Sequence, residues 1–175
     1  LDSDIAETRL HTRNLLAGFV DIMGGTADKV YEGAGAGLID VAVSPDGKLL
    51  AAAGERGTLV LFDAKSGELL KRLKGHDPSA GNTGSVRAVV FTSKGDMLYS
   101  AGDDRRIICW SMSDGPDGKK LKEWKAPAEV FALALSKDGN TLASAGKGDG
   151  ISIWDTGTGR QIQTLKGKSS LIADG

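Results

Sequence analysis

Cysteine occurs once in this chain, at Cys109, and histidine twice, at His11 and His76. A lone cysteine cannot close a disulfide within the chain, which fits a reducing compartment, so a cytoplasmic location is expected. His11 and His76 are far apart in sequence and supply no zinc ligand set with that cysteine. Asp46 and Asp138 sit in ordinary turns, not in a calcium loop. No metal and no cofactor is therefore expected. An apolar run of about 18 residues, the length that spans a bilayer, is missing. Charge of one sign is missing too: 22 Lys and Arg face 23 Asp and Glu, for a net charge of −1. No field of one sign argues for nucleic acid or an anionic membrane as partner. Aromatics make up only 5%, and two of the three tryptophans hold core-like positions, which leaves no platform for stacking single-stranded bases. The run Gly33-Ala34-Gly35-Ala36-Gly37 has neither the third glycine of a dinucleotide fingerprint nor the lysine of a phosphate loop. It reads as a flexible connection. The first residue is Leu, not Met, so the chain is expected to be a piece of something longer.

Glycine, by contrast, is abundant at 25 residues, and its placement is periodic. Gly47, Gly95 and Gly139 each close a turn after a hydrophobic run. Gly54, Gly102 and Gly146 each follow the next run, and Phe62, Trp110 and Trp154 end the third. All three sets step by 48 residues (62 to 110, for example) and then by 44 (110 to 154). The first unit, 38–73, reads as four short strands over 38–43, 48–53, 58–62 and 68–73, punctuated by turns such as Pro45-Asp46-Gly47. The second unit runs over 86–124 and the third over 130–165. A period in the low-to-mid forties with four short strands per unit is the pattern of a propeller blade. Residues 26–32 align with the strand that ends each unit, so the outer strand of a preceding blade is expected there. Residues 3–23 differ in kind. Ile5, Leu15, Leu16, Phe19, Val20 and Met23 fall near helical spacing, Asp4 and Glu7 resemble a capping box, and Gly24-Gly25 supplies a stop. The division is thus a helix and linker over 1–25 and a partial propeller over 26–175, all-β apart from that amphipathic helix.

The stretches SPDGKLLAAAGERGTLVLFDAKSGELL, SAGDDRRIICW and SKDGNTLASAGKGDGISIWDTGTGR resemble WD-repeat (tryptophan-aspartate) β-propellers, particularly the bacterial kind. Trp154-Asp155 is the one literal Trp-Asp pair, with Phe62-Asp63 and Trp110-Ser111 as degenerate equivalents. The resemblance implies a hydrogen-bonded tetrad of His76, Ser100, Asp104 and Trp110. A histidine, a hydroxyl and a carboxylate in one unit also invite a hydrolase reading. The tetrad accounts for them without catalysis. The aspartate accepts a histidine N–H, the histidine accepts from the hydroxyl, and the hydroxyl accepts from the indole N–H, so each buried polar group is satisfied. In the first unit Arg56 and Phe62 replace the aspartate and the tryptophan. In the third, Gly148 holds the aspartate position, with Asp149 beside it. These two blades are expected to rely on packing alone and to have looser turns.

The resemblance further implies a non-catalytic protein-interaction scaffold or sensor module, with a protein partner. In bacteria such propellers often stand behind a signalling or nucleotide-hydrolysing domain. The alternative is a propeller enzyme, or a small-ligand binder at the central channel. It requires polar groups on the inner strands, where only Asp40 and Arg87 occur. Ile39, Arg87 and Phe131 share one position near the start of each inner strand and are the candidate partner-binding residues, beside the long loop 76–85. That loop and the insertion 113–118 read equally as binding loops or as tolerated length variation. Arg105-Arg106 beside Asp103-Asp104 reads as a solvated turn in preference to an anion site. Three blades cannot close a ring. The remaining blades are expected from the parent polypeptide or from a partner chain, and two blade faces are expected to be open. Leu50, Leu59, Leu98, Ile107, Leu142 and Ile151 are read as face residues.

Overall fold

Alternating apolar residues separated by glycine-bearing turns build twelve strands in the computed structural model, which describes residues 31–166 apart from Ala36, Asn82, Asp114 and Asp149. The helix expected over 3–23 and the start of another unit after 168 lie outside the described residues, as does most of the strand expected over 26–32. Tyr31 and Glu32, at the end of that range, are not in a strand. The first blade contains β1 (Leu38–Val43), β2 (Leu49–Gly54), β3 (Leu59–Asp63) and β4 (Leu69–Arg72). The second contains β5 (Val86–Phe91), β6 (Met97–Gly102), β7 (Arg106–Ser111) and β8 (Lys119–Lys125), and the third β9 (Val130–Leu135), β10 (Thr141–Gly146), β11 (Gly150–Asp155) and β12 (Gln161–Lys166). Each blade is a four-stranded antiparallel meander in sequence order, and the inner strands β1, β5 and β9 adjoin one another.

Period-two alternation gives each blade two apolar faces, and the faces meet as cores. Ala51, Ala53, Leu59 and Leu61 of the first blade pack against Leu98, Ile108 and Trp110 of the second. Tyr99, Ala101, Ile107 and Cys109 on the second blade's other face pack against Leu142 and Trp154 of the third. A fully buried leucine or isoleucine contributes roughly 1.5–3 kcal/mol, so these two seams hold the blades together. The expectation of two open faces needs correction. The outward face of the first blade, Leu50, Val60 and Phe62, is buried and gathers Ala34 and Tyr31. Tyr31 meets Phe62 edge-on at 5.5 Å and donates its hydroxyl to the Ala64 carbonyl at 2.7 Å. The glycine run is likewise no slack connection. Arg72 bonds the carbonyls of both Gly33 and Ala34. Among the described residues only the third blade presents an open face, where Ile151 and Leu165 lie 42% and 44% exposed. Of the six face residues named from the sequence, Ile151 alone is exposed.

Side chains close the turns. After each inner strand a hydroxyl bonds both a carboxylate and the next strand's backbone. Ser44 donates to Asp46 and accepts from the Leu49 N–H, Thr92 does the same with Asp96 and Met97, and Ser136 with Asp138 and Thr141. The aspartate of the Trp-Asp pair has a local task of this kind. Asp155 accepts from the Thr158 N–H at 2.7 Å, as Asp63 accepts from the Lys65 N–H at 3.0 Å, which closes the turn that leads to the fourth strand.

Candidate interaction site

One irregularity recurs in all three blades and creates the site. The ladder between the first and second strands skips a residue. Leu38 faces Gly54 and Asp40 faces Ala53, so Ile39 has no partner. Arg87 is skipped in the second blade and Phe131 in the third. These are β-bulges, which take a side chain out of the sheet's alternation and re-aim it. The three residues singled out from the sequence are therefore the three bulge residues, on the rim that carries the turns between second and third strands. Ile39 and Phe131 are each 45% exposed, and Arg87 keeps 30% of its side chain in solvent.

The structure joins two of the three. The Arg87 guanidinium carbon lies 5.1 Å from the Phe131 ring centroid, within range of a cation–π contact. Arg87 also bonds both carboxylate oxygens of Asp103, through Nε and Nη2. Asp103 further accepts from the Thr83 hydroxyl at 2.9 Å and the Ser85 N–H at 3.1 Å. Burial alone would raise the Asp103 carboxyl, but the bonds from Arg87, Ser85 and Thr83 outweigh it and hold the group below the usual carboxylate range. Asp103 was not among the residues chosen from the sequence, where it appears as one half of a turn pair.

The loop 76–85 is built into this rim. Its Thr83 and Gly84 carbonyls accept from the Arg56 and Gly57 N–H groups at 3.2 and 2.7 Å. The first blade's turn is thereby tied down, contrary to the looser turn expected where no aspartate is present.

Beneath the rim lies the chain of His76, Ser100, Asp104 and Trp110. His76 Nδ1 is 2.9 Å from Asp104 Oδ2, His76 Nε2 is 2.8 Å from Ser100 Oγ, and Trp110 Nε1 donates to Ser100 Oγ at 2.9 Å. The carboxylate calls for a proton on Nδ1, which leaves Nε2 to accept from the serine hydroxyl. With Trp110 donating to that same serine, every member is satisfied. Asp104 also accepts from the Asp77 and Arg106 N–H groups at 3.1 and 3.0 Å. Burial opposes its ionisation, yet His76 and these backbone donors together hold its carboxyl below the ordinary range. Its stabilising contribution is complete at neutral pH and is lost as pH falls through that lowered value. His76→Ala is expected to cost about 1–3 kcal/mol, because Ser100 and Asp104 lose a buried partner. Urea denaturation checks this, and an unchanged midpoint would contradict it.

The other blades differ from the sequence expectation in a second respect. In the third, Trp154 Nε1 donates to Ser144 Oγ at 2.8 Å, so that blade retains the indole–hydroxyl half of the chain and does not rest on packing alone. The 10-residue separation of Ser144 and Trp154 repeats that of Ser100 and Trp110. In the first blade Ala52 and Phe62 take these positions, and both are buried in an apolar cluster.

Successive four-stranded meanders packed face to face, with their first strands adjoining, define a segment of a β-propeller. The model of the WD domain, G-beta repeat family matches residues 25–63, 67–111 and 118–155, the second and third matches each joining the outer strand of one blade to the first three strands of the next, and the chain belongs to the WD-repeat family. WD repeat and SOCS box-containing protein 1 of Takifugu rubripes is 32% identical over 112 residues, covering 63% of this chain and 24% of that protein. Autophagy-related protein 16 of Arabidopsis thaliana is 28% identical over 152 residues, covering 87% of this chain and 28% of that protein. The crystal structure of the RRP9 WD40 repeats superposes with a TM-score of 0.69 at 19% identity, covering 81% of this chain and 42% of that one. The chain thus spans about a quarter of the length of these two curated relatives. Both are eukaryotic, and the bacterial affinity expected from the sequence finds no support in them.

Proposed function

We propose that the chain is a non-catalytic docking module whose rim, with Arg87 and Phe131 at its centre and Ile39 on the neighbouring blade, holds a protein partner. The observation that carries this reading is the bulge. A repeated irregularity places one residue per blade on the same rim, and there an exposed phenylalanine is held rigid by an arginine that is itself fixed by a buried carboxylate. Aromatic and arginine side chains with little freedom left to lose are the types that anchor interfaces. Membership of the WD-repeat family agrees with a role as a protein-interaction scaffold.

The polar groups of the inner strands weigh against the channel-ligand alternative. Asp40 accepts from the Val89 N–H at 2.8 Å and the Val41 N–H at 2.9 Å, and so joins the first blade to the second. Arg87 is engaged by Asp103. The two do not converge on a common ligand. The open face at Ile151 and Leu165 supports the further proposal that additional blades, from the parent polypeptide or else from a partner chain, cover it. A cytoplasmic location, and the exclusion of nucleic acid and membrane as partners, complete this reading. Among the described residues no helix is long and apolar enough to cross a membrane.

Photo-crosslinking tests the rim. A benzophenone side chain at position 131 is expected to trap a defined protein adduct. The same group at position 121, where Leu121 is a 46% exposed bulge residue on the outer strand β8, is expected to trap none. Equal labelling from both positions would contradict the proposal.

A further inference from the structure

We infer that the cavity between the second and third blades receives a single carboxylate side chain from a docking peptide, with Arg105 as its cation. This rests on the reading of the rim as a protein-docking surface. The cavity has a volume of about 490 Å³ and is lined in part by Asp103, Asp104, Arg105, Pro127, Glu129 and Lys147. Asp103, through its bond to Arg87, connects it to the Phe131 side of the rim.

Two cations line the cavity, and they differ. Lys147 Nζ is engaged by Glu129 Oε1 at 3.4 Å. Arg105 is exposed, and its guanidinium has no hydrogen bond or ion pair among the described residues. The neighbouring acids do not take it up, because Asp103 is held by Arg87, Thr83 and Ser85, and Asp104 by His76 and two backbone N–H groups. Arg105 has a φ of 61°, in the left-handed region that long side chains enter at a cost. In the first blade the equivalent position, 48 residues earlier, is Gly57, with a φ of 70°. Glycine meets the demands of the turn, and what the arginine adds is its side chain.

The walls also select the ligand. A guanidinium fork matches a carboxylate through two parallel bonds. Asp103, Asp104 and Glu129 repel a dianion or a polyanion, since among the described residues lining the cavity only one cation is uncommitted. Pro127 and Ala128 offer an apolar wall, and Phe131 an apolar neighbour on the rim. The structure therefore favours a peptide segment with one Asp or Glu between apolar residues over a phosphopeptide or a nucleic acid.

The test uses fluorescein-labelled Gly-Leu-Glu-Leu-Gly, its glutamine and phosphoserine analogues, and a labelled thymidine oligonucleotide, with binding followed by anisotropy. The glutamate peptide is expected to bind about tenfold more tightly than the glutamine peptide, the worth of one charge-assisted bond. Arg105→Gly suits the left-handed turn and is expected to leave the melting temperature no lower, to abolish the preference and to leave binding of the glutamine peptide unchanged. Phe131→Ala is expected to weaken both peptides alike. Equal affinity for the two peptides, a preference that survives Arg105→Gly, tighter binding of the phosphoserine peptide or the oligonucleotide, or no binding by any probe overturns the inference. A glutamate preference that depends on Arg105, with the affinities of both peptides unchanged by Phe131→Ala, supports the cavity and overturns the rim reading alone.

Discussion

Trp110→Ala is expected to cost about 3–5 kcal/mol of folding stability, the range for truncating a large buried aromatic. The indole is 2% exposed and lies in the core between the first two blades with Leu59, Leu61, Leu98 and Ile108. Backbone closes in on it as well. A Cβ at Gly75 would stand 2.8 Å from the ring, so the chain entering the loop 76–85 rests on the indole and has nowhere to collapse when it is removed. The loss therefore includes an unfilled cavity as well as lost transfer energy. Ser100 also loses the donor that completes its partners. Trp110→Phe separates the two contributions. It keeps most of the volume and removes the N–H, so a cost of about 1 kcal/mol is expected. Urea denaturation of both variants beside His76→Ala measures the coupling, and Trp110 and His76 should prove non-additive because they share Ser100. A loss below that of Trp110→Phe for Trp110→Ala would show that the seam between the blades is not a packed core.

The blades were legible in the sequence because their period is a property of spacing alone. Gly54, Gly102 and Gly146 mark it without any knowledge of what they touch. The tetrad was legible because its members keep fixed offsets within a unit and because the family it resembles supplies their roles. The bulges were not legible. A run such as Val86-Arg87-Ala88-Val89-Val90-Phe91 reads as an unbroken strand, and the residue that drops out of the ladder is decided by the partner strand. The clamp on Arg87 was hidden for a related reason, since Asp103 lies 16 residues away and becomes its neighbour only through the hairpin. The Ser144–Trp154 bond is legible only as a 10-residue offset, because the third unit has no histidine to mark it. The covered face of the first blade depends on Tyr31, whose stacking on Phe62 follows from a chain path that no local pattern announces. The fate of an exposed apolar face is likewise a tertiary matter. Ile107 and Ile151 are equivalent in sequence, and only the third blade's lack of a neighbour among the described residues leaves Ile151 in solvent.

The glycines opposite the bulges lead to the second large effect. Gly102→Ala is expected to cost about 3 kcal/mol, the upper end for overpacking a site that cannot yield. A Cβ there would fall far inside van der Waals contact with the Ser85 carbonyl oxygen and stand 2.9 Å from Val86 Cα. These are backbone atoms, and no rotamer change moves them aside. The same carbonyl accepts the Asp103 N–H at 2.9 Å, so displacing it loosens the residue that holds Arg87. The device recurs. A Cβ at Gly54 would strike the Gly37 carbonyl and one at Gly146 the Glu129 carbonyl, and those carbonyls accept from the Glu55 and Lys147 N–H groups at 2.9 Å. Glycine is thus required at these three positions by close backbone approach, not by a left-handed φ. Gly157→Ala is the control. A Cβ at Gly157 meets only Asp155 Oδ1 at 3.4 Å, and a change within about 0.5 kcal/mol is expected there. Denaturation midpoints give the stabilities, and amide exchange gives the mechanism. In Gly102→Ala the Asp103 and Val86 N–H groups should lose protection before the rest of the second blade, because the bulge opens first. A variant with an unchanged midpoint and a protected Asp103 would show that the bulge tolerates a side chain and that the repeated glycine has another cause.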